Sequence, residues 1–230
     1  TSLDATQAKL VGISLSYETG RACYIPLAHK APAAQAMFNL GDGGAEIGAA
    51  DPPEQVDFKQ ALYVLGELFS DPTVLKIGHN IKYDAQVLAN YGIYVKAVDD
   101  TMLLSYVLDC GLHAHNLDDL SKMHFEHTNI KFKEVAGVGK AQVTFDQVAL
   151  DDALEYAAED ADMTWRLHEL LKPRLVDQRM VTVYEILERP LIDILSGMER
   201  HGIKVDAKEL KRLSDDFAFR LADLEKQVHG

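Results

Sequence analysis

The order in which hydrophobic periods follow one another limits most strongly what this chain can fold into. Two β-rich runs come first, LVGISLSY (Leu10–Tyr17) and RACYIPL (Arg21–Leu27), and the ETG between them predicts a hairpin with Gly20 at the unusual backbone angle. The stretch from Ala31 to Gln55, rich in Gly, Ala and Pro, reads as a long surface loop, and a helix is expected over about 55–69. A buried strand over Thr73–Gly78, a helix from Tyr83 closed by Gly92 and a strand over Ile93–Asp99 come next. Helices follow over Thr101–Leu108, Asn116–His124, Leu150–Leu171 and much of Val181–Val228. A hairpin and strands early, with helices later, predicts an α/β fold rather than a bundle or a sandwich.

A net charge of -13 argues against a protein that grips nucleic acid with a broad basic surface. It leaves room for an enzyme whose carboxylates collect divalent cations that then meet phosphate. The segment Ser121–Ala141, with four lysines against two glutamates, is either a solvated loop or a local phosphate contact. No apolar run approaches the ~18 residues of a membrane span, and Cys23 and Cys110 stand far apart with no CxxC partner. The expectation is a soluble cytoplasmic protein with no membrane partner, disulfide framework or zinc site. The histidines of HAH (His113–His115) and HFEH (His124–His127) read as loop or helix-end residues rather than metal ligands.

The stretch EYAAEDADMTWRLHEL (Glu155–Leu170) carries five carboxylates. On a helical wheel Glu155, Glu159, Asp162 and Glu169 share the expected solvent face, whereas Asp160 falls with Ala153, Ala157 and Leu167 on the apolar side, one turn after Tyr156. A carboxylate there needs an ion pair, a hydrogen bond or a metal. Tyr156 is either a core residue or a phenol that holds a water beside that carboxylate. In GHNIKYDAQVL (Gly78–Leu88), Asp84 falls in the first turn of a helix after a buried strand, a junction where α/β folds bind ligands. Asn80 reads as a cap, and Tyr83, Val87 and Leu88 as core.

Together NIKYDAQVLANYGI and YAAEDADMTWRLH, with DDTMLLSYVLD, HNLDDLSKMHF and VTFDQVALDDALEYAAED between them, resemble the second and third motifs of the bacterial DNA polymerase I proofreading exonuclease domain, over nearly the whole chain. The resemblance implies a ribonuclease H-like α/β fold of the DEDDy class: a mixed central sheet flanked by helices, with a helical C-terminal extension. It implies removal of nucleotides from a single-stranded DNA 3′ end with two divalent metal ions, Mg or Mn. By the same resemblance Asp84 and Asp160 are metal ligands, Tyr156 orients the attacking water, and Leu3, Asn80, Tyr83 and Phe132 contact the DNA. Leu3 is then a wedge against the terminal base and Phe132 a stacking platform. Ala114 stands where family members can have an arginine that contacts phosphate.

The family's first motif, an Asp-x-Glu expected immediately before Thr1, is not among the 230 residues. The expectation is therefore an exonuclease domain over residues 1–177 that is impaired by itself, because two-metal chemistry needs ligands from that pair. Residues 178–230 resemble the helical start of the polymerase domain, the expected partner within one parent chain. The alternatives are a catalytically silent exonuclease-fold scaffold and a ribonuclease D-like enzyme that trims RNA 3′ ends. The presence of Asp84, Tyr156 and Asp160 weighs against the first and the polymerase-like tail against the second.

Overall fold

Strand β1 (Gly12–Glu18) pairs antiparallel with β2 (Arg21–Pro26), placing Gly12 opposite Pro26, with an irregularity between Ser16 and Glu18. Gly20 takes φ of 77° at the turn, as the sequence predicts. Gly12 is needed for another reason: a Cβ there would lie 2.1 Å from the Tyr24 hydroxyl, which crosses the strand at that point. The computed structural model describes residues 2–30, 53–139 and 142–229, so most of the loop expected from Ala31 to Gln55 lies outside the described residues. Its last residue is described, and the Gln55 side chain exchanges two 2.8 Å hydrogen bonds with the backbone of His29.

Helix α1 (Phe58–Ser70) begins at Asp57, whose carboxylate accepts the Gln60 N–H at 2.8 Å. Strand β3 (Lys76–Gly78), helix α2 (Ile81–Ala89) and strand β4 (Val98–Asp100) form a parallel βαβ unit, with Gly78 opposite Asp100. The strand expected over Ile93–Asp99 pairs only at its end, because Ala97 takes φ of 51° and breaks the extended run. Ile93 and Val95 are still buried, packed with Leu65, Phe69, Val87 and Leu88, so their alternation reports burial without a ladder.

Helices α3 (Thr101–Asp109), α4 (Leu117–Phe125) and α5 (Phe132–Ala136) lead to α6 (Leu150–Asp177), which lies against β1, β2, β3, α3, α4 and α5. The sequence ends α6 at Leu171, yet it continues through Pro173. Leu167, Leu171 and Leu175 are buried there with Leu104, Leu120 and Tyr184, and that packing outweighs the backbone hydrogen bond a proline cannot make. A π-helical turn (Val183–Glu188) and α7 (Arg189–His201) follow.

By compactness the chain divides into residues 1–196 and 197–230. The first unit holds every described strand, α1 to α6, the π turn and the first part of α7. The second holds the end of α7 and α8 (Ala207–His229), along which Phe217, Phe219, Leu221 and Leu224 are exposed. No helix among the described residues is long and apolar enough to cross a membrane.

The described strands form two separate hydrogen-bonded pairs, β1 with β2 and β3 with β4. The edges of β1 and β3 both line one cavity of about 1270 Å³. That cavity is also lined by Tyr83, Asp84, Phe132, Tyr156 and Asp160, five of the residues singled out in the sequence.

Candidate active site

Asp84 reaches the cavity because of the turn that precedes it. Asn80 sits in the left-handed region at φ of 60°, and its side chain does not cap α2 as the sequence suggests. Asp100 does so instead: its carboxylate accepts the backbone N–H of Asn80 at 3.0 Å and of Ile81 at 2.9 Å. The same carboxylate accepts the Met102 N–H at 2.9 Å and so caps α3 as well. One fully buried acid therefore ties together the N-termini of two helices. Asp84 stands in the first turn of α2, exposed where it lines the cavity. Desolvation, with the Asp100 carboxylate second, pushes its carboxyl up to about 7.

Asp160 and Tyr156 are half-buried on α6 and line the same cavity. Desolvation pushes Asp160 up to about 7; the Asn129 amide and the Tyr156 hydroxyl favour its charged form, while Glu159 and Asp118 oppose it. Desolvation, then the Asp160 charge, raises the Tyr156 hydroxyl. The Tyr156 ring is set by an aromatic wall, with centroids 6.3 Å from Phe132 and 5.8 Å from Phe145. Phe132 and Phe145 stack at 6.3 Å, and Phe145 also meets Tyr24 and His29.

Two of the carboxylates expected in solvent are not there. Asp162 is buried and accepts the Gly20 N–H of the hairpin turn at 2.6 Å while pairing with Arg166 at 2.7 Å. Glu159 accepts the Ile130 N–H at 2.7 Å and pairs with His127 at 2.7 Å. A wheel read in isolation fails here because α6 is covered on several sides, so its polar face meets the hairpin and the 127–130 segment. Glu155 and Glu169 are exposed as expected.

Tyr83, Asp84, Phe132, Tyr156 and Asp160 thus share one cavity. Asn80 is exposed at the head of α2 and is not part of the cavity lining. Leu3 is fully exposed, and its neighbour Ser2 accepts a hydrogen bond from the Tyr83 hydroxyl through its carbonyl. In the lysine-bearing segment Lys131 pairs with Asp118 at 2.6 Å, and Lys140 lies outside the described residues. His113 and His115 are half-buried against each other, rings 4.9 Å apart, rather than free in solvent.

The sequence reading missed Asp100, Glu159, Phe145 and Asn129. An acid directly before Thr101 is a helix-start signal that could have marked Asp100 as a cap; the other three depend on contacts between distant segments. The carboxylate pair fits hard, oxygen-seeking cations such as Mg²⁺ or Mn²⁺. Among the described residues no group of three or more His, Cys, Asp or Glu is arranged to hold a metal ion.

A hairpin, a parallel βαβ unit and a long helix that brings an acid to the same cleft define an α/β fold of the ribonuclease H-like exonuclease type. The family model described as 3′-5′ exonuclease matches residues 1–176, and the chain belongs to that family. Over its full length it is 48% identical to DNA polymerase I of Rhizobium leguminosarum, of which it spans 22%, and 40% identical to DNA polymerase I of Pseudomonas aeruginosa, of which it spans 24%. The chain thus covers under a quarter of the length of these relatives. The fold resembles a solved structure of the POL domain of Pol1 from M. smegmatis in complex with DNA primer-template and dNTP, with a TM-score of 0.58 and 23% identity. That match covers 74% of this chain and 26% of the other.

Proposed function

We propose that this chain is the 3′-5′ exonuclease portion of a DNA polymerase I, hydrolysing the terminal phosphodiester of a single-stranded DNA 3′ end to release nucleoside 5′-monophosphates. The observation that carries the proposal is that Asp84, Tyr156 and Asp160 line one cavity together with Tyr83 and Phe132. Asp84 and Asp160 would hold divalent cations, and the raised affinity of both carboxyls for protons marks a site short of positive charge. Bound there, the cations supply Lewis acidity for an attacking water and a leaving oxygen.

The remaining roles belong to the chain's own residues. The Tyr156 hydroxyl, a weak acid kept protonated beside Asp160, orients a water through its lone pair or its proton. Phe132, exposed and stacked on Phe145, offers a ring to an unpaired base. Tyr83 lines the same cavity and its hydroxyl donates to the carbonyl of Ser2, next to the exposed Leu3, and Asn80 offers an exposed amide at the head of α2. Asp84 gains from the N-terminal end of α2, where the helix dipole favours a negative charge.

The remaining metal ligands enter, on this reading, with a strand that carries the family's Asp-x-Glu and seats between β1 and β3. Those two edges have no other hydrogen-bonded strand among the described residues, and both face the cavity that holds Asp84 and Asp160. The test joins the preceding segment of the Rhizobium leguminosarum relative to the N-terminus of the chain. Mn²⁺ binding is then measured by calorimetry, and digestion of a 3′-labelled single-stranded oligonucleotide is followed, for the chain, the extended chain and its Asp160→Ala variant. Two-site binding and digestion confined to the extended chain, and lost with Asp160, support the proposal. An extended chain that binds no metal and digests nothing overturns it in favour of a silent scaffold.

A further inference from the structure

Asn129 presents a problem that the proposed chemistry does not absorb. Its side chain is 2% exposed, yet neither Nδ2 nor Oδ1 completes a hydrogen bond of ordinary geometry. An amide offers two N–H donors and an acceptor oxygen, and leaving such a group buried and unmade costs about 1–3 kcal/mol. An apolar side chain of similar size would fill the same space without that cost. Buried polar groups that stay unpaired in a native fold call for a reason, and a bound group that completes them is one.

The surroundings say which group. The Asn129 amide faces the Asp160 carboxylate. The short segment that carries it is held on both sides by the residue next to Asp160: Glu159 pairs with His127 Nε2 at 2.7 Å and accepts the Ile130 N–H at 2.7 Å. One residue further on, Lys131 is anchored to Asp118 at 2.6 Å. The turn of α6 that bears Asp160 therefore also fixes the loop that delivers Asn129. A buried amide whose hydrogen bonds are incomplete and a two-point clamp beside it are independent features, and they converge on the same turn of α6, at Asp160 and Glu159.

We infer that Asn129 is a positioning residue for Asp160: its amide Nδ2–H holds the carboxylate oxygen turned away from the cation, and Oδ1 accepts from a water bound at the site. The inference rests on the proposed role of Asp160 as a cation ligand. Groups that orient a ligand from behind in this way commonly contribute 10–100-fold to metal affinity. Asn129 binds neither cation nor DNA directly.

The experiment uses the extended chain described above, with Asn129→Leu, Asn129→Thr and Asp160→Ala variants. Mn²⁺ affinity is measured by calorimetry, Tm by circular dichroism, and the Asn129 side-chain amide pair is followed by ¹⁵N NMR as Mg²⁺ is added. The expected result is a saturable shift of the amide pair in the parent protein. Asn129→Leu should bind Mn²⁺ about 10–100-fold more weakly while Tm is unchanged or raised, and Asn129→Thr, which keeps a hydroxyl donor, should recover part of the affinity. If Asp160→Ala abolishes binding but Asn129→Leu binds as the parent does, or the amide pair does not respond to Mg²⁺, the inference is wrong and the proposed function stands. If Asp160→Ala binds as the parent does, both fall. Should Asn129→Leu fail to fold, the NMR response and Asn129→Thr decide: Mn²⁺ affinity at the parent level in Asn129→Thr with a silent amide pair overturns it.

Discussion

Asp99 and Asp160 lie on opposite sides of the same balance. Burial pushes Asp99 up, but hydrogen bonds from His168 and Lys172 outweigh it and hold the carboxyl at about 2. Its oxygens meet His168 at 2.9 Å, Lys172 at 2.9 Å, Arg189 at 3.3 Å and the Tyr184 hydroxyl at 3.1 Å. Asp84 and Asp160 lack such cationic partners, and desolvation pushes both carboxyls up to about 7. The consequences for stability run in opposite directions. Asp99, depressed below its unfolded value of about 3.9, stabilises the fold above that value, and the contribution is lost as pH falls toward 2. Asp84 and Asp160, raised above that value, favour the fold in full only at lower pH, and their contribution is lost as pH rises through 7. Melting followed by circular dichroism should show Tm falling between pH 5 and pH 8, with a flatter profile in Asp84→Asn/Asp160→Asn. A Tm that rises over that interval would contradict the assignment. Asp160 was legible in the sequence because one acid fell on an apolar stripe. Asp99 was not, since its four partners come from α6, the π turn and α7.

Tyr184 joins Asp99 to the neighbouring backbone. Its hydroxyl donates to Asp99 and accepts the Asp100 N–H at 2.9 Å, with the ring fully buried. Tyr184→Phe leaves that N–H and one Asp99 lone pair unmet, which should cost about 1–3 kcal/mol. For a chain of this size each kcal/mol lowers Tm by roughly 2–4 °C, so calorimetry resolves the loss easily. An unchanged Tm would mean that water replaces the hydroxyl without cost.

At the scale of elements, Asp100 matters most for the site because α2 cannot hold Asp84 in place without its first turn. Removing the carboxylate in Asp100→Ala strips the caps from α2 and α3 together. At about 0.5–2 kcal/mol per lost cap, the chain should lose about 1–4 kcal/mol. Hydrogen exchange should quicken at Asn80, Ile81 and Met102 before it does at α6; equal acceleration throughout the fold would refute local capping as the mechanism. Element type was largely legible, because hydrophobic period and caps such as Asp57 and Asn116 act over a few residues. Ends were less so. Ala97 interrupts the strand before β4, and the burial of Leu171 and Leu175 carries α6 beyond Pro173; neither effect is visible in a local window.

At the scale of the molecule, β1 and β3 line the same cavity as Asp84 and Asp160, and neither strand has a second hydrogen-bonded strand among the described residues. The α/β class was legible from the order of periods, but which strands pair was not, since pairing joins edges distant in sequence. Unpaired edges facing a largely apolar cleft favour strand addition, in which main-chain hydrogen bonds supply the affinity. The extended chain should therefore protect from exchange those amides of β1, among Gly12–Ser16, and of β3, Lys76–Gly78, that point away from β2 and β4. Tm should rise alongside, because two orphan edges and the apolar lining are covered at once. The comparison requires no catalysis, so it separates seating of the strand from chemistry at the carboxylates. If the extended chain digests DNA while these amides exchange as fast as before, the added segment reaches Asp84 and Asp160 by another route, and the cleft between β1 and β3 has a different occupant.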